Sequence, residues 1–262
     1  MLELELRCAI EAAKEAEKAI LTVYSKPFAV EIKDDDSPVT EADKMADEII
    51  RGYLSARFPD DAFLTEESAD TPERFSKKRV WIVDPVDGTK EFVSRNGEFA
   101  TNIALCENGQ IVLGVINAPA LGVLYFAVKG EGAYRLNPDG TEQRLHVDAR
   151  TEQLRVMRSI SFFRPAEESY LAKNKIHFLG EPTPVGAALK FAALAEGRAD
   201  FFIRLSPSTK EWDVAAGDLL VKEAGGFMCQ PSGADFTYNR KDVYNRNGYV
   251  MGNKLQPWML DF

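Results

Sequence analysis

The sequence predicts a layered α+β / α/β protein. Residues 1–150 form an N-terminal lobe of two helices on an antiparallel sheet, and residues 151–262 form a smaller C-terminal α/β lobe. Three observations lead there. Two segments near the N-terminus repeat apolar residues at helical spacing. A run rich in β-branched and turn residues extends from Val80 to Val128. Beyond Gly186, strand-like and helix-like segments alternate.

Leu6, Ile10, Ala13 and Ile20, with Glu17 as one polar interruption, predict an amphipathic helix over residues 2–24. Ala42, Met45, Ala46, Ile49, Ile50, Tyr53 and Leu54 predict a second helix. Thr40 stands before it as a cap, Asp43 follows three residues later, and Pro59-Asp60-Asp61 closes it. Ala62-Phe63-Leu64 reads as a short strand ending at Glu66-Glu67. Residues 69–79 read as a polar loop, polar enough to be mobile. Strands follow at Val80–Val83 and Ala100–Cys106, then Asn108-Gly109 as a turn, then Ile111–Ile116 and Val123–Val128. Ile111 to Val128 carries no charge and prompts a membrane check. Asn117-Ala118-Pro119 at its middle, with Gly114 and Gly122, predicts a hairpin instead of a spanning helix. Asn137-Pro138-Asp139-Gly140 marks a further turn. In the second half, helices are predicted at Gly186–Glu196 and Asp213–Glu223, the latter stopped by Gly225-Gly226. Strands are predicted at Ala199–Ile203, Phe227–Cys229 and Tyr249–Met251.

Composition narrows the function. The chain has 262 residues, is 45% hydrophobic and carries a net charge of −9. That sign disfavours nucleic-acid polymers, and it would repel a small anion unless bound cations reversed it locally. Cys8, Cys106 and Cys229 are widely spaced, without a C-x-x-C, and fit free thiols in a reducing, cytoplasmic setting. His146 and His177 are the only histidines, so a zinc site of His/Cys type is disfavoured. Metal chemistry here would be oxygen-based, with Mg²⁺ or Mn²⁺. The acidic Leu2-Glu3-Leu4-Glu5-Leu6 lacks the basic region of a secretory leader.

Four acidic segments end strands or begin helices: Asp43, Glu66-Glu67, Asp84 with Asp87, and Asp213 after Trp212. Taken alone, Asp43 is equally well read as a charge that favours the helix N-terminus through the macrodipole, Asp213 as a helix cap, and Glu66-Glu67 as solvated loop charge. Asp84 and Asp87 are harder to dismiss. The apolar Trp81-Ile82-Val83 ends in two carboxylates three residues apart, followed by Gly88-Thr89. Such a segment offers hard oxygen ligands from a buried strand beside backbone N–H groups and a hydroxyl, as a metal–phosphate site needs.

These motifs, in this order, resemble the lithium-sensitive, Mg²⁺-dependent phosphatases of the inositol monophosphatase/fructose-1,6-bisphosphatase superfamily. The carriers are Glu66-Glu67-Ser68, Asp84-Pro85-Val86-Asp87-Gly88-Thr89, Trp212-Asp213-Val214-Ala215-Ala216-Gly217 with Glu223-Ala224-Gly225-Gly226, and the helix entry Val39-Thr40-Glu41-Ala42-Asp43. The resemblance covers most of the chain. It implies alternating αβαβα layers and two or three Mg²⁺ ions. Glu66, Asp84 and the Val86 carbonyl would hold the first ion. Asp84, Asp87 and Asp213 would hold the second, with a third, weaker ion near Glu66. The implied catalytic residues are Glu66, Asp43 and Thr89. Thr89 paired with Asp43 would orient an attacking water or accept its proton, and the Gly88 and Thr89 N–H groups would bind phosphate oxygens.

Lys90-Glu91-Phe92, Gly186-Ala187-Ala188-Leu189-Lys190-Phe191 and Arg204-Leu205-Ser206-Pro207 look like the bacterial 3′(2′),5′-bisphosphate nucleotidase branch, which acts in sulfur metabolism. That branch implies release of the 3′-phosphate of adenosine 3′,5′-bisphosphate, with Gly186, Ala188, Lys190, Arg204 and Lys210 binding substrate beside Gly88 and Thr89. Cations at Arg204 and Lys210 suit a second phosphate better than a neutral polyol, although each also reads as a surface residue. One departure stands out. The branch carries a Ser-Arg-Ser-His-like run where this chain has Met157-Arg158-Ser159-Ile160-Ser161-Phe162-Phe163-Arg164, without the His. Phe162 and Phe163 read either as core residues or as a stacking surface for a base. Two other functions fit the same scaffold: a phosphatase for inositol or another sugar phosphate, and a non-catalytic metal or nucleotide sensor. The expected partner is a small phosphorylated substrate. Nucleic-acid polymer and stable membrane insertion are not expected, and the chain is expected to be a monomer or homodimer.

Overall fold

A computed structural model of the chain describes residues 2–32 and 38–262. In chain order its elements are α1 (Glu3–Tyr24), β1 (Glu31–Ile32), β2 (Pro38–Val39), α2 (Glu41–Ser55), β3 (Ala62–Thr65), β4 (Arg79–Asp87), α3 (Thr89–Val93), β5 (Ala100–Glu107), β6 (Gln110–Ala118), β7 (Val123–Val128), β8 (Gly132–Leu136), β9 (Glu142–Arg144), β10 (Met157–Ser159), α4 (Pro165–Lys173), β11 (Thr183–Val185), α5 (Leu189–Ala195), β12 (Phe201–Arg204), α6 (Glu211–Glu223), β13 (Phe227–Cys229) and β14 (Tyr249–Gly252).

The layers follow from which face each residue buries. In β4 the side chains alternate between two cores. Trp81 and Val83 pack with α1 and α2, whereas Val80 and Ile82 pack with α5 and α6. A strand covered on both faces must be apolar throughout, which is why this run reads as continuous in sequence. The alanines of α1 (Ala9, Ala12, Ala13, Ala16) and of α2 (Ala42, Ala46) bring the two helices close together on one side of the sheet. On the other side, α6 lies against β6. A Cβ on Gly114 would stand 2.8 Å from the Ala216 carbonyl oxygen, so that approach requires glycine. The same alternation recurs in β12. Phe202 faces α5 and α6, while Phe201 and Ile203 face Tyr170 and Leu171 of α4. The order is therefore α1/α2, seven-stranded sheet, α5/α6, three-stranded sheet, α4. The αβαβα layering implied by the motifs is what the chain adopts.

The large sheet runs β3-β4-β5-β6-β7-β8-β9, and the small one runs β12-β14-β13. β3 pairs parallel with β4, and each later neighbour pairs antiparallel. The uncharged stretch is a hairpin, with Leu113 opposite Val128.

Two expectations need correction. First, β4 does not stop at Val83. It continues to Asp87 through a bulge, with Asp84 opposite Asn102 and Asp87 opposite Ala100. Residues three apart on a regular strand face opposite ways. One extra residue lets both carboxylates turn to the same side, and Pro85 sits where the ladder is already broken. Second, the polar residues 69–79 are tied down. Pro72–Ser76 is a short 3₁₀ turn, and Arg74 is fully buried. Its guanidinium donates to Asp70 at 2.6 and 3.0 Å, to Asn239 Oδ1 at 2.5 Å and to the Arg240 carbonyl at 2.8 Å. Smaller shifts occur at element ends. α5 begins at Leu189 because Ala187 takes a positive φ of 45°, and α6 begins at Glu211.

Candidate active site

The parallel register of β3 on β4 sets Thr65 beside Val83, and the Glu66 N–H donates to the Val83 carbonyl at 3.2 Å. Glu66 therefore emerges next to Asp84. Asp213 reaches the same place from the first turn of α6, where its carboxylate accepts the Lys210 N–H at 2.6 Å. Carboxylate oxygens of Glu66, Asp84 and Asp213 all lie within 4.8 Å of one another. Asp87 lines the same cleft and accepts a hydrogen bond from Asn102 Nδ2 at 3.3 Å.

Such a group of carboxylates is electrostatically unfavourable by itself. Burial, then the neighbouring carboxylates of Glu66, Asp87, Asp213 and Asp43, push the Asp84 carboxyl well above its ordinary range. Burial first, then Glu66 and Asp87, raise Asp213 to about 8. Asp87 is raised to about 6 by burial, with Lys190 opposing. Asp84 is only 2% exposed, and its Oδ1 has no hydrogen-bond partner among the described residues. An all-oxygen donor set with an orphaned buried carboxylate oxygen fits a hard divalent cation.

Next to the carboxylates, Gly88 adopts φ +85° and starts α3. A Cβ there would sit 2.9 Å from the Ala187 Cβ, so both the turn and the packing need glycine. The turn places Thr89 Oγ1 3.3 Å from Asp43 Oδ1 and 3.3 Å from the Val86 carbonyl. Asp43 Oδ2 is fixed from its own helix end, where it accepts from the Thr40 N–H at 2.8 Å and the Thr40 hydroxyl at 2.7 Å. Asp43 is thus both the capping-box partner of Thr40 and the acceptor for Thr89.

The cleft, about 540 Å³ in volume, is lined by both carboxylates and cations. Lys190, Arg204 and Lys210, all expected from sequence, are among its lining residues. Lys190 is buried on α5, which lowers its ammonium pKa even though Asp87 opposes the shift. Gly186 and Ala188 do not line the cleft. The Gly186 N–H is taken by the Glu98 carboxylate, Ala188 is buried, and the residue between them, Ala187, reaches the cleft. Arg164, from the Met157–Arg164 run, also lines it, together with Thr209 and Tyr244, which sequence reasoning does not single out. Neither of those two sits in a periodic segment that would have marked it.

The Inositol monophosphatase family model matches residues 1–260. The chain belongs to the inositol monophosphatase family. It is similar to the 3′(2′),5′-bisphosphate nucleotidase CysQ of Aggregatibacter actinomycetemcomitans, 34% identical over 261 residues that cover 97% of this chain and 94% of the relative. It is also similar to that of Salmonella typhimurium, 39% identical over 243 residues, or 91% and 96% of the two chains. Among solved structures, CysQ from Bacteroides thetaiotaomicron, described as a bacterial member of the inositol monophosphatase family, superposes with a TM-score of 0.83. It is 35% identical and covers 96% of this chain and 98% of its own.

Proposed function

We propose that this protein is a Mg²⁺-dependent phosphomonoesterase that removes the 3′-phosphate of adenosine 3′,5′-bisphosphate, giving AMP and inorganic phosphate. The observation that carries this reading is one cleft that holds both a carboxylate cluster and cations. The carboxylates of Glu66, Asp84 and Asp213 converge, and Lys190, Arg204 and Lys210 line the same cleft. Relatives named as 3′(2′),5′-bisphosphate nucleotidases, at 34% and 39% identity over most of the chain, support the same substrate class.

Glu66, Asp84, Asp87, Asp213 and the Val86 carbonyl are the groups proposed to hold Mg²⁺. When bound, such ions polarise phosphoryl oxygens and acidify water. The chain's own residues supply the rest. Thr89 shares its hydroxyl proton between Asp43 Oδ1 and the Val86 carbonyl. Its oxygen lone pairs are left to orient an attacking water, and Asp43 takes up the proton passed through Thr89. Gly88 and Thr89 open their backbone N–H groups toward the scissile phosphate. Arg204, Lys190 and Lys210 hold the second, non-scissile phosphate. A second phosphate matches the charge of those cations where a neutral polyol would not, which favours a bisphosphate over an inositol ester.

The test is phosphate release from adenosine 3′,5′-bisphosphate, inositol 1-phosphate and fructose 1,6-bisphosphate, with Mg²⁺ and with chelator. The expected result is Mg²⁺-dependent release, fastest from the nucleotide. Preference for inositol 1-phosphate would overturn the substrate, and no turnover of any ester with Mg²⁺ would overturn the enzyme. Among the described residues no helix is long and apolar enough to cross a membrane.

A further inference from the structure

Phe162 and Phe163 are neighbours in sequence but part company in the fold. Phe163 packs against the core between α4 and the small sheet. Phe162 joins none of the hydrophobic clusters, is half-buried and lines the cleft. What surrounds its ring is charge. Lys90 Nζ lies 4.2 Å from the ring centroid and Arg204 Cζ lies 5.3 Å from it. Lys90 is exposed at the start of α3, and Arg204 is 5% exposed at the end of β12.

The segment carrying Phe162 is tied down by polar contacts. The Phe162 N–H donates to Ser159 Oγ at 3.3 Å, and its carbonyl accepts from Arg204 Nη1. Ser161 Oγ donates to the buried Glu91 at 2.6 Å. Arg204 also lies 3.8 Å from Glu167 Oε1 and 3.4 Å from Ser208 Oγ, while its Nε has no hydrogen-bond partner among the described residues. An aromatic face beside two cations attracts both through its quadrupole and fixes where their charge sits, without neutralising it as a carboxylate would.

We infer that Phe162 is a specificity-determining positioning residue: its ring holds Lys90 and Arg204 as a preset pair of positive charges for the non-scissile phosphate of a bisphosphate substrate. This rests on the functional reading above and adds two residues to it, Phe162 and Lys90. It also gives the aromatic pair of the second half two separate duties. Phe163 is core, and Phe162 sets charge.

The experiment compares adenosine 3′,5′-bisphosphate with adenosine 3′-monophosphate, in Mg²⁺, on the full-length chain. Both esters share base and scissile bond, but only the first has a second phosphate. Phe162→Leu should raise KM for the bisphosphate roughly tenfold while leaving kcat, and KM for the monophosphate, within about twofold. Phe162→Tyr, which keeps the ring, should restore the wild-type KM. Lys90→Met approaches the same pair without touching the ring and should reproduce the selective rise, so the test survives even if Phe162→Leu fails to fold. An equal rise on both esters would mean that the ring touches the base, and it would overturn the inference. An unchanged KM in a folded Phe162→Leu, or in Lys90→Met, would overturn it as well. A wild-type enzyme with no preference for the bisphosphate would instead overturn the functional reading.

Discussion

The acidic and the cationic lining of the cleft are built by different means. In the acidic lining, main-chain geometry does the placing. The β3–β4 register puts Glu66 beside Asp84, a bulge turns Asp87 to the same side, and the first turn of α6 presents Asp213. In the cationic lining, side-chain contacts do the placing. Arg204 is held by the Phe162 carbonyl and ring, and the Lys190 ammonium donates to the Ala187 carbonyl. Backbone register is hard to alter by substitution, whereas side-chain contacts change one residue at a time. The comparison assigns chemistry to the rigid lining and substrate choice to the adaptable one.

Substitutions in the acidic lining should therefore act on kcat, and those in the cationic lining on KM. The largest expected effect is Asp84→Asn. It should lower kcat by about 10³-fold or more by removing a metal-binding charge. Folding should be preserved, as read by circular dichroism, because the charge opposes folding in the metal-free chain. Thr89→Val should lower kcat by about 10²- to 10⁴-fold with little change in KM, measured by phosphate release at saturating Mg²⁺. Arg204→Ala should raise KM for adenosine 3′,5′-bisphosphate on the order of 10- to 100-fold, the loss of charge-assisted hydrogen bonds. The half-buried Lys210 should cost less than Arg204. A fall in kcat alone for Arg204→Ala would break the division between the two linings. Gly114→Ala tests the packing that seats α6 under the acidic lining. It should cost about 1–3 kcal/mol in urea unfolding, because the new Cβ meets the Ala216 backbone.

The acidic lining was the legible one. Its carboxylates fall where apolar strands end or a helix starts, and periodicity marks those places. Even there, the bulge that aligns Asp84 with Asp87 left no trace beyond Pro85. The cationic lining was legible in residue type but not in geometry. The positive φ of Ala187 decides which of three small residues meets the cleft, and Gly186-Ala187-Ala188 does not reveal that turn. Tyr244 arrives on a loop, held where the Asn245 N–H donates to the Thr209 carbonyl at 2.7 Å. The anchoring of residues 69–79 is not legible in sequence because their partners are remote. Arg74 meets Asn239 and Arg240, far along the chain, and a polar segment looks mobile until such contacts are known.

Electrostatics gives the acidic lining its most direct test. The Asp84, Asp87 and Asp213 carboxyls are raised in the folded, metal-free chain, the last two to about 6 and about 8. Unfolded aspartate titrates near ~3.9. Between those limits the folded state binds more protons, so stability is fullest at low pH and falls as pH rises toward about 8. A bound divalent cation should cancel that loss. The measurement is the thermal melting temperature at pH 8, in chelator and across a Mg²⁺ titration, for the wild-type chain and for Asp84→Asn. The account predicts a saturable rise with Mg²⁺ in the wild type and a much smaller one in the variant. Equal responses, or none in the wild type, would contradict it.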